Sequence, residues 1–233
     1  MKTPAERAHL LLLSTQASMD DKWRAAWSLL DEDKSPSVLP EHRAHAKCWL
    51  TYRAIEGHIK HDEFEKRVLS VPDLPTNHPL VARWRTSQSA AEFFYYTLRD
   101  DKNGMWRAST YARFPEWWQK DHPPAVLNYL RVQCVLVYSE YLEGNHEAAN
   151  LMIQTALNVW RTVMYSLDWQ KHPLRFMDGK GDMMALHALM CIGARIGMVP
   201  AWMQEHEKAI QDLKEPWALC LRHLSKRKGA IWK

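Results

Sequence analysis

The chain reads as all-α: an irregular stack of antiparallel helical hairpins, about 10–12 helices in all. Three observations predict this. Only 8 of its 233 residues are glycine, and Val/Thr alternation of the kind that marks a sheet is sparse. Helix-like segments follow one another, punctuated by proline and short polar turns. Residues 122–160 read as two amphipathic helices folded back on each other around Gly144.

The elements follow in order. Pro4 suits the first turn of a helix over 4–18. Asp20 and Asp21 open a second helix, where carboxylates complement the macrodipole. After the loop 31–39, Pro40 starts a third helix running to about Gly57. Residues 61–71 form a shorter helix ended by Pro72, and 71–79 are a proline-rich turn with a helix start near Asn77. A long helix over 80–98 becomes strongly apolar toward its end; 99–104 is a turn, and 105–114 a short helix closed by Pro115. Residues 116–124 are irregular. The Gly144 hairpin occupies 124–165, a loop 168–182 follows, and helices near 182–196, 200–213 and 216–227 finish the chain. The whole reads as one domain, 1–233, with any sub-division near 72–79 or 115–124.

Composition narrows the function classes. A 46% hydrophobic and 25% charged chain is an ordinary globular protein. The net charge of +4 is mild for a dedicated nucleic-acid binder. Twelve tryptophans are spread from Trp23 to Trp232, not gathered in a membrane-interface belt. Cys48, Cys134, Cys191 and Cys220 lie far apart in apolar segments without a C-x-x-C pair, so buried free thiols are expected. The opening residues do not resemble a signal peptide, and no stretch approaches a membrane span. A cytoplasmic location and no membrane partner are the expectation.

Chemistry-bearing clusters are few. His42, His45 and Cys48 fall at helical spacing, and His58, His61, Asp62 and Glu65 cluster similarly. A polar helix edge and a charged turn account for both, so no metal or other cofactor is expected. The pairs Asp20-Asp21 and Asp100-Asp101 lack the further aspartate of a magnesium motif and sit at helix boundaries. No P-loop, nucleophile elbow, H-E-x-x-H or EF-hand loop appears. A non-enzymatic protein is the reading, with no catalytic residue nominated.

Around Gly144 the pattern runs Leu136, Gly144, Ala149, Ile153, Ala156, Leu157, with small residues where paired helices approach and larger ones filling the seam. This spacing resembles the tetratricopeptide repeat, whose hairpins carry a glycine at the turn and an alanine five residues later. Fainter echoes lie at 13–30 (Leu13, Asp21, Trp23, Ala26, Leu30) and around Gly104, with Trp106 at the aromatic position and Ser109 at the small one. The chain departs from the repeat where Arg161 replaces the closing proline, and turn spacings run from 36 (Asp21 to Gly57) to 47 (Gly57 to Gly104). The resemblance implies a TPR-like scaffold that binds a peptide or protein partner.

The expected partner-binding anchors are Trp106, Tyr111, Trp117 and Trp118, in a proline-bounded stretch where burying every aromatic is hardest. An irregular stack without polar end caps also predicts self-association, a homo-oligomer. The alternative is a nucleic-acid-associated factor using the basic–aromatic segments 105–120 and 222–233, with Arg107, Arg113, Arg222, Lys226, Arg227 and Lys228 on phosphates.

Overall fold

Most helices begin where a side chain or a proline satisfies the first turn, and several end at a residue that leaves helical backbone space. The computed structural model describes residues 2–31, 37–113, 123–166, 182–228 and 231–232. Among these residues every regular element is helical and no strand occurs.

In α1 (Pro4–Leu13) the Thr3 hydroxyl accepts the Glu6 N–H at 3.1 Å while the Glu6 carboxylate accepts the Thr3 N–H at 2.7 Å, a reciprocal cap. The helix stops five residues short of the expected end. Ser14 turns extended (ψ 132°), and its hydroxyl accepts the N–H groups of Gln16 and Ala17. In α2 (Met19–Asp31) the Ser18 hydroxyl accepts the Asp21 N–H at 3.1 Å and donates to its carboxylate at 2.6 Å, so this aspartate pair is a helix start.

Next come α3 (Pro40–Ile55), closed by Gly57 at φ 84°, and α4 (His61–Glu63), which runs into a π-helical stretch, Phe64–Leu69. The expected helix over 61–71 is thus wound more widely than an α-helix, with Phe64 and Val68 fully buried. In the proline-rich link, Leu74 packs under Val81 and Trp84. Then follow α5 (Val81–Thr97), α6 (Lys102–Arg113), α7 (Pro123–Leu142) and α8 (His146–Ser166). Gly144 joins the last two at φ 80°, the left-handed residue a tight helical hairpin needs. Ala149, Ile153 and Ala156 are fully buried along the seam. After α9 (Asp182–Arg195) the expected single helix over 200–213 divides into a 3₁₀ helix, Ala201–His206, and α10 (Glu207–Gln211); α11 (Pro216–Lys228) ends the series.

The turn expected over 99–104 is narrower than the sequence suggests. Asp100 takes the left-handed conformation (φ 61°), and the Asp101 carboxylate accepts the Gly104 N–H at 2.9 Å. The aspartate caps α6, and Gly104 lies inside its first turn.

The centre of the fold is α5 against α7. α5 packs on α3, α6, α7 and α11, and α7 packs on α5, α6, α8, α9 and α11. Both are buried around most of their circumference, as helices enclosed by others are. Phe93, Phe94 and Tyr95 of α5 meet Val135 and Tyr138 of α7, Leu189 and Ile192 of α9, and Trp217 and Leu221 of α11 in one buried cluster. The Tyr138 hydroxyl is satisfied by Ser225 at 2.6 Å. All four cysteines are buried and free, and burial raises every thiol above its ordinary range. No described helix is long and apolar enough to cross a membrane.

Trp232 departs from expectation. The sequence reads 222–233 as one solvated basic tail, yet the Trp232 indole is fully buried, edge-on to Tyr138 at 4.9 Å, with its N–H donated to the Glu207 carbonyl. An indole whose N–H finds a partner stabilises the core through its large apolar area, and that outweighs the polarity of its neighbours in sequence.

Candidate functional site

α6 is the element that positions the site. It lies unusually close on α5: a Cβ at Gly104 would stand 2.4 Å from Cγ and Cδ1 of the Tyr96 ring. Only glycine permits that approach. The Ser89 hydroxyl of α5 donates to the Ala108 carbonyl and clamps the next turn of α6. Two concavities open on either side of the seated helix.

On one side is a groove of about 420 Å³ between the end of α5, the start of α6, the end of α7 and α11. Phe93, Met105, Trp106, Leu136, Leu142 and Leu224 give it an apolar wall. Trp106 is 66% exposed, an unusual state for so large an apolar side chain. Asp100, Glu140 and Glu143 also line the groove, against the single ammonium of Lys102. His223 bonds Asp100 at 2.9 Å, and the Asn145 amide bonds Glu140 at 2.8 Å. The groove is therefore apolar in its wall and acidic in its polar part.

On the other side is a polar cleft of about 290 Å³ lined by Lys47, Asp73, Gln88, Glu92, Arg107 and their neighbours. Lys47 projects from the buried face of α3 with a side chain 6% exposed, donating to the Val71 carbonyl and to Asp73, each at 2.9 Å. Glu92 stands 3.9 Å away and accepts the Gln88 amide at 2.6 Å. Burial holds the Glu92 carboxyl above its usual range, opposed by the Lys47 charge. This network ties α3, α5 and the proline-rich link together. The Lys47 ammonium and one Glu92 oxygen are thereby bonded within the scaffold.

Of the expected anchors, Trp106 is placed on a groove. Tyr111 and Arg113 belong to α6, but their side chains lie outside the described residues, as do Trp117 and Trp118 entirely. Arg107 follows Trp106 in sequence yet lines the polar cleft instead of the groove. Arg222 of α11 is half-buried and donates to the Gln211 carbonyl at 2.7 Å; Lys226 is exposed on the same helix, and the side chains of Arg227 and Lys228 lie outside the described residues. Arg107 and Arg222 thus stand in different surroundings, one on the polar cleft and the other bonded to the Gln211 carbonyl.

The histidine cluster is also rearranged. His42 and His45 of α3 are joined by His9 of α1, with ring centroids 4.4 and 5.1 Å from His9, and His45 stacks on Trp84 at 4.7 Å. Cys48 is buried, and no group of three or more ligand-type side chains among the described residues is arranged to hold a metal. His61 instead bonds the Tyr95 hydroxyl at 2.7 Å.

Sequence reasoning missed the carboxylates of the groove. Glu140 and Glu143 carry the signal of being three apart near a helix end, but only packing shows that α6 brings Trp106 beside them. No known protein family, curated protein or solved structure matches the chain.

Proposed function

We propose that this chain is a non-enzymatic interaction module, a TPR-like helical scaffold that holds a short basic and apolar segment of a protein partner in the groove beside Trp106. The observation that carries the reading is an indole 66% exposed at the edge of an apolar groove whose polar lining is mainly carboxylate. Exposed Trp is costly to keep in water and is enriched at binding hot spots. The acidic residues select a cationic segment and reject an anionic one.

The scaffold reading draws support from the packing order. α1, α2 and α3 touch pairwise, as do α5, α6 and α7, and again α7, α8 and α9. Consecutive helices packing in threes is the arrangement of a hairpin stack. Here α11 crosses back onto α5 and α7 and closes one flank.

The test is fluorescence anisotropy with two labelled amphipathic peptides, one of Leu and Lys and one of Leu and Glu at the same spacing. The Leu/Lys peptide is expected to bind and the Leu/Glu peptide not. Trp106→Ala should weaken binding by about 30-fold, the effect of losing a hot spot. Glu140→Lys with Glu143→Lys should weaken it by a similar factor. Equal binding of both peptides, or binding indifferent to Trp106→Ala, overturns the proposal. Salt-sensitive binding of single-stranded oligonucleotides that survives Trp106→Ala supports the nucleic-acid alternative in its place.

A further inference from the structure

α1 is held to the fold by little apolar surface. Only Ala5 and Leu12 of its ten residues are buried, while Leu10, Leu11 and Leu13 are exposed. It packs on α2 and α3. An element with so few buried contacts opens at low free-energy cost. What α1 adds to the interface is a histidine. The His9 ring stands 4.4 Å from His42 and 5.1 Å from His45, which lie one turn apart on α3, and Trp84 of α5 stacks on His45 at 4.7 Å. His9 Nε2 and His45 Nδ1 are buried with no hydrogen-bond partner, and His42 Nδ1 accepts the Leu39 N–H at 3.4 Å. Neutral imidazoles tolerate this, because each ring keeps one bare nitrogen. A second proton on His9 or His45 creates a buried, charged donor with nothing to donate to.

The surroundings do little to offset that charge. Among the described residues none of the three rings bonds a carboxylate. The two nearby acids each bond another group: Glu6 of α1 accepts the Thr3 N–H at 2.7 Å, and Glu41 of α3 meets His78 at 3.3 Å. Lys22 of α2 and Arg83 of α5 act on the cluster with the sign of an imidazolium. Burial lowers all three histidines. It takes His45 down to about 4, with His9, Arg83, His42 and Lys22 adding to the effect. His42 and Arg83 add to it at His9, where Glu41 opposes; Glu41 and Glu6 oppose it at His42.

We propose that His9, His42 and His45 form an acid-sensitive latch, whose protonation below about pH 6 releases α1 from α3 while the centre of the fold stays packed. With two rings charged at these separations, repulsion adds to the unmet donors. Release puts His9 in water, opens His42 and His45 to it, and bares the apolar surface that Ala5 and Leu12 cover. Because the docked histidines titrate below the released ones, docking is complete above about pH 6.5 and is lost as the pH falls toward about 4.

Hydrogen exchange at pH 7.5 and pH 5 tests this, read by mass spectrometry as protection factors so that the intrinsic pH dependence cancels. A histidine moving from about 4 toward its ordinary 6.5 shifts the docking equilibrium by up to about 30-fold at pH 5. Protection in α1 should therefore fall at least about tenfold, and α7 should remain at least about 100-fold better protected than α1 at both pH values. Each variant is compared with itself across pH, so a changed baseline does not matter. His9→Gln and His45→Gln should each shrink the fall, and the pair should leave less than about threefold. Glu6→Gln, which keeps a capping side chain, should leave the fall intact. The proposal is overturned if α1 and α7 share one protection factor, since the helix then opens only with the whole fold. It is equally overturned if α1 protection is the same at both pH values, if both single histidine variants keep the full fall, or if Glu6→Gln abolishes it.

Discussion

Replacing Gly104 by alanine sets two effects against each other. In an open helix the change adds up to about 1 kcal/mol, because glycine loses the most backbone entropy on folding. Here the new methyl would stand 2.4 Å from the Tyr96 ring carbons and 2.7 Å from the Asp101 carboxylate. Ordinary carbon contacts are about 3.5–4.0 Å, so the overlap exceeds about 1 Å. Tyr96 is only 6% exposed and the contacted atoms sit near its root, so the ring cannot swing clear without moving α5 or α6. Overpacking of this kind costs about 1–3 kcal/mol. The clash wins, and the net loss is about 1–2 kcal/mol, or about 2–8 °C in Tm for a chain of this size.

Urea denaturation read by circular dichroism measures it, with Gly104→Ala alone and together with Tyr96→Leu. The double variant should recover part of the Gly104→Ala loss, giving a favourable coupling between the two sites. Because α6 carries Trp106, the same shift should also weaken the Leu/Lys peptide. A Gly104→Ala protein as stable as wild type, or no coupling with Tyr96→Leu, refutes the argument that this glycine is there for close approach.

Two further outcomes follow from the same packing. His45 has its pKa lowered from 6.5 to about 4, first by burial and then by His9, Arg83, His42 and Lys22, while His9 and His42 are also lowered. A folded-state value below the unfolded one means stability is complete above about pH 6.5 and is lost as pH falls toward about 4, by about 2 kcal/mol at pH 5. Urea midpoints between pH 7.5 and 5 measure the slope, and His45→Phe should flatten it; an unchanged slope removes His45 as the cause. For the tryptophans, Trp232→Ala should cost about 3–5 kcal/mol, whereas Trp202→Ala, 58% exposed, should stay within about 0.5 kcal/mol. Comparable costs for the two would contradict the burial of the C-terminal indole.

Much of the fold was legible as local pattern. Pro4, Pro40 and Pro216 mark helix starts because their missing N–H would have no partner there in any case. Gly144 marks a hairpin because a left-handed residue is needed at that point. What misled was punctuation with two meanings. Gly104 looks like a turn residue beside Asp-Asp-Lys-Asn, but the left-handed position went to Asp100 and the glycine serves a close helix crossing. The Ser14 hydroxyl ended α1 early by giving the backbone an alternative to the helix ladder. At the candidate site, Trp106 could be nominated as an aromatic in a hard-to-bury stretch, whereas its carboxylate neighbours could not.

The sequence by itself determined the helical class, the order of the main elements and the apolar character of the segments that carry all four thiols. These depend on spacing and capping within about one turn, which the chain carries locally. Only the tertiary structure decided which side chains share a space. It buries Lys47 among Asp73 and Glu92, draws Trp232 into the core, and gathers His9, His42 and His45 from two helices into one cluster. Those outcomes depend on how helices cross, a global compromise of apolar burial and steric fit that no single stretch of sequence encodes.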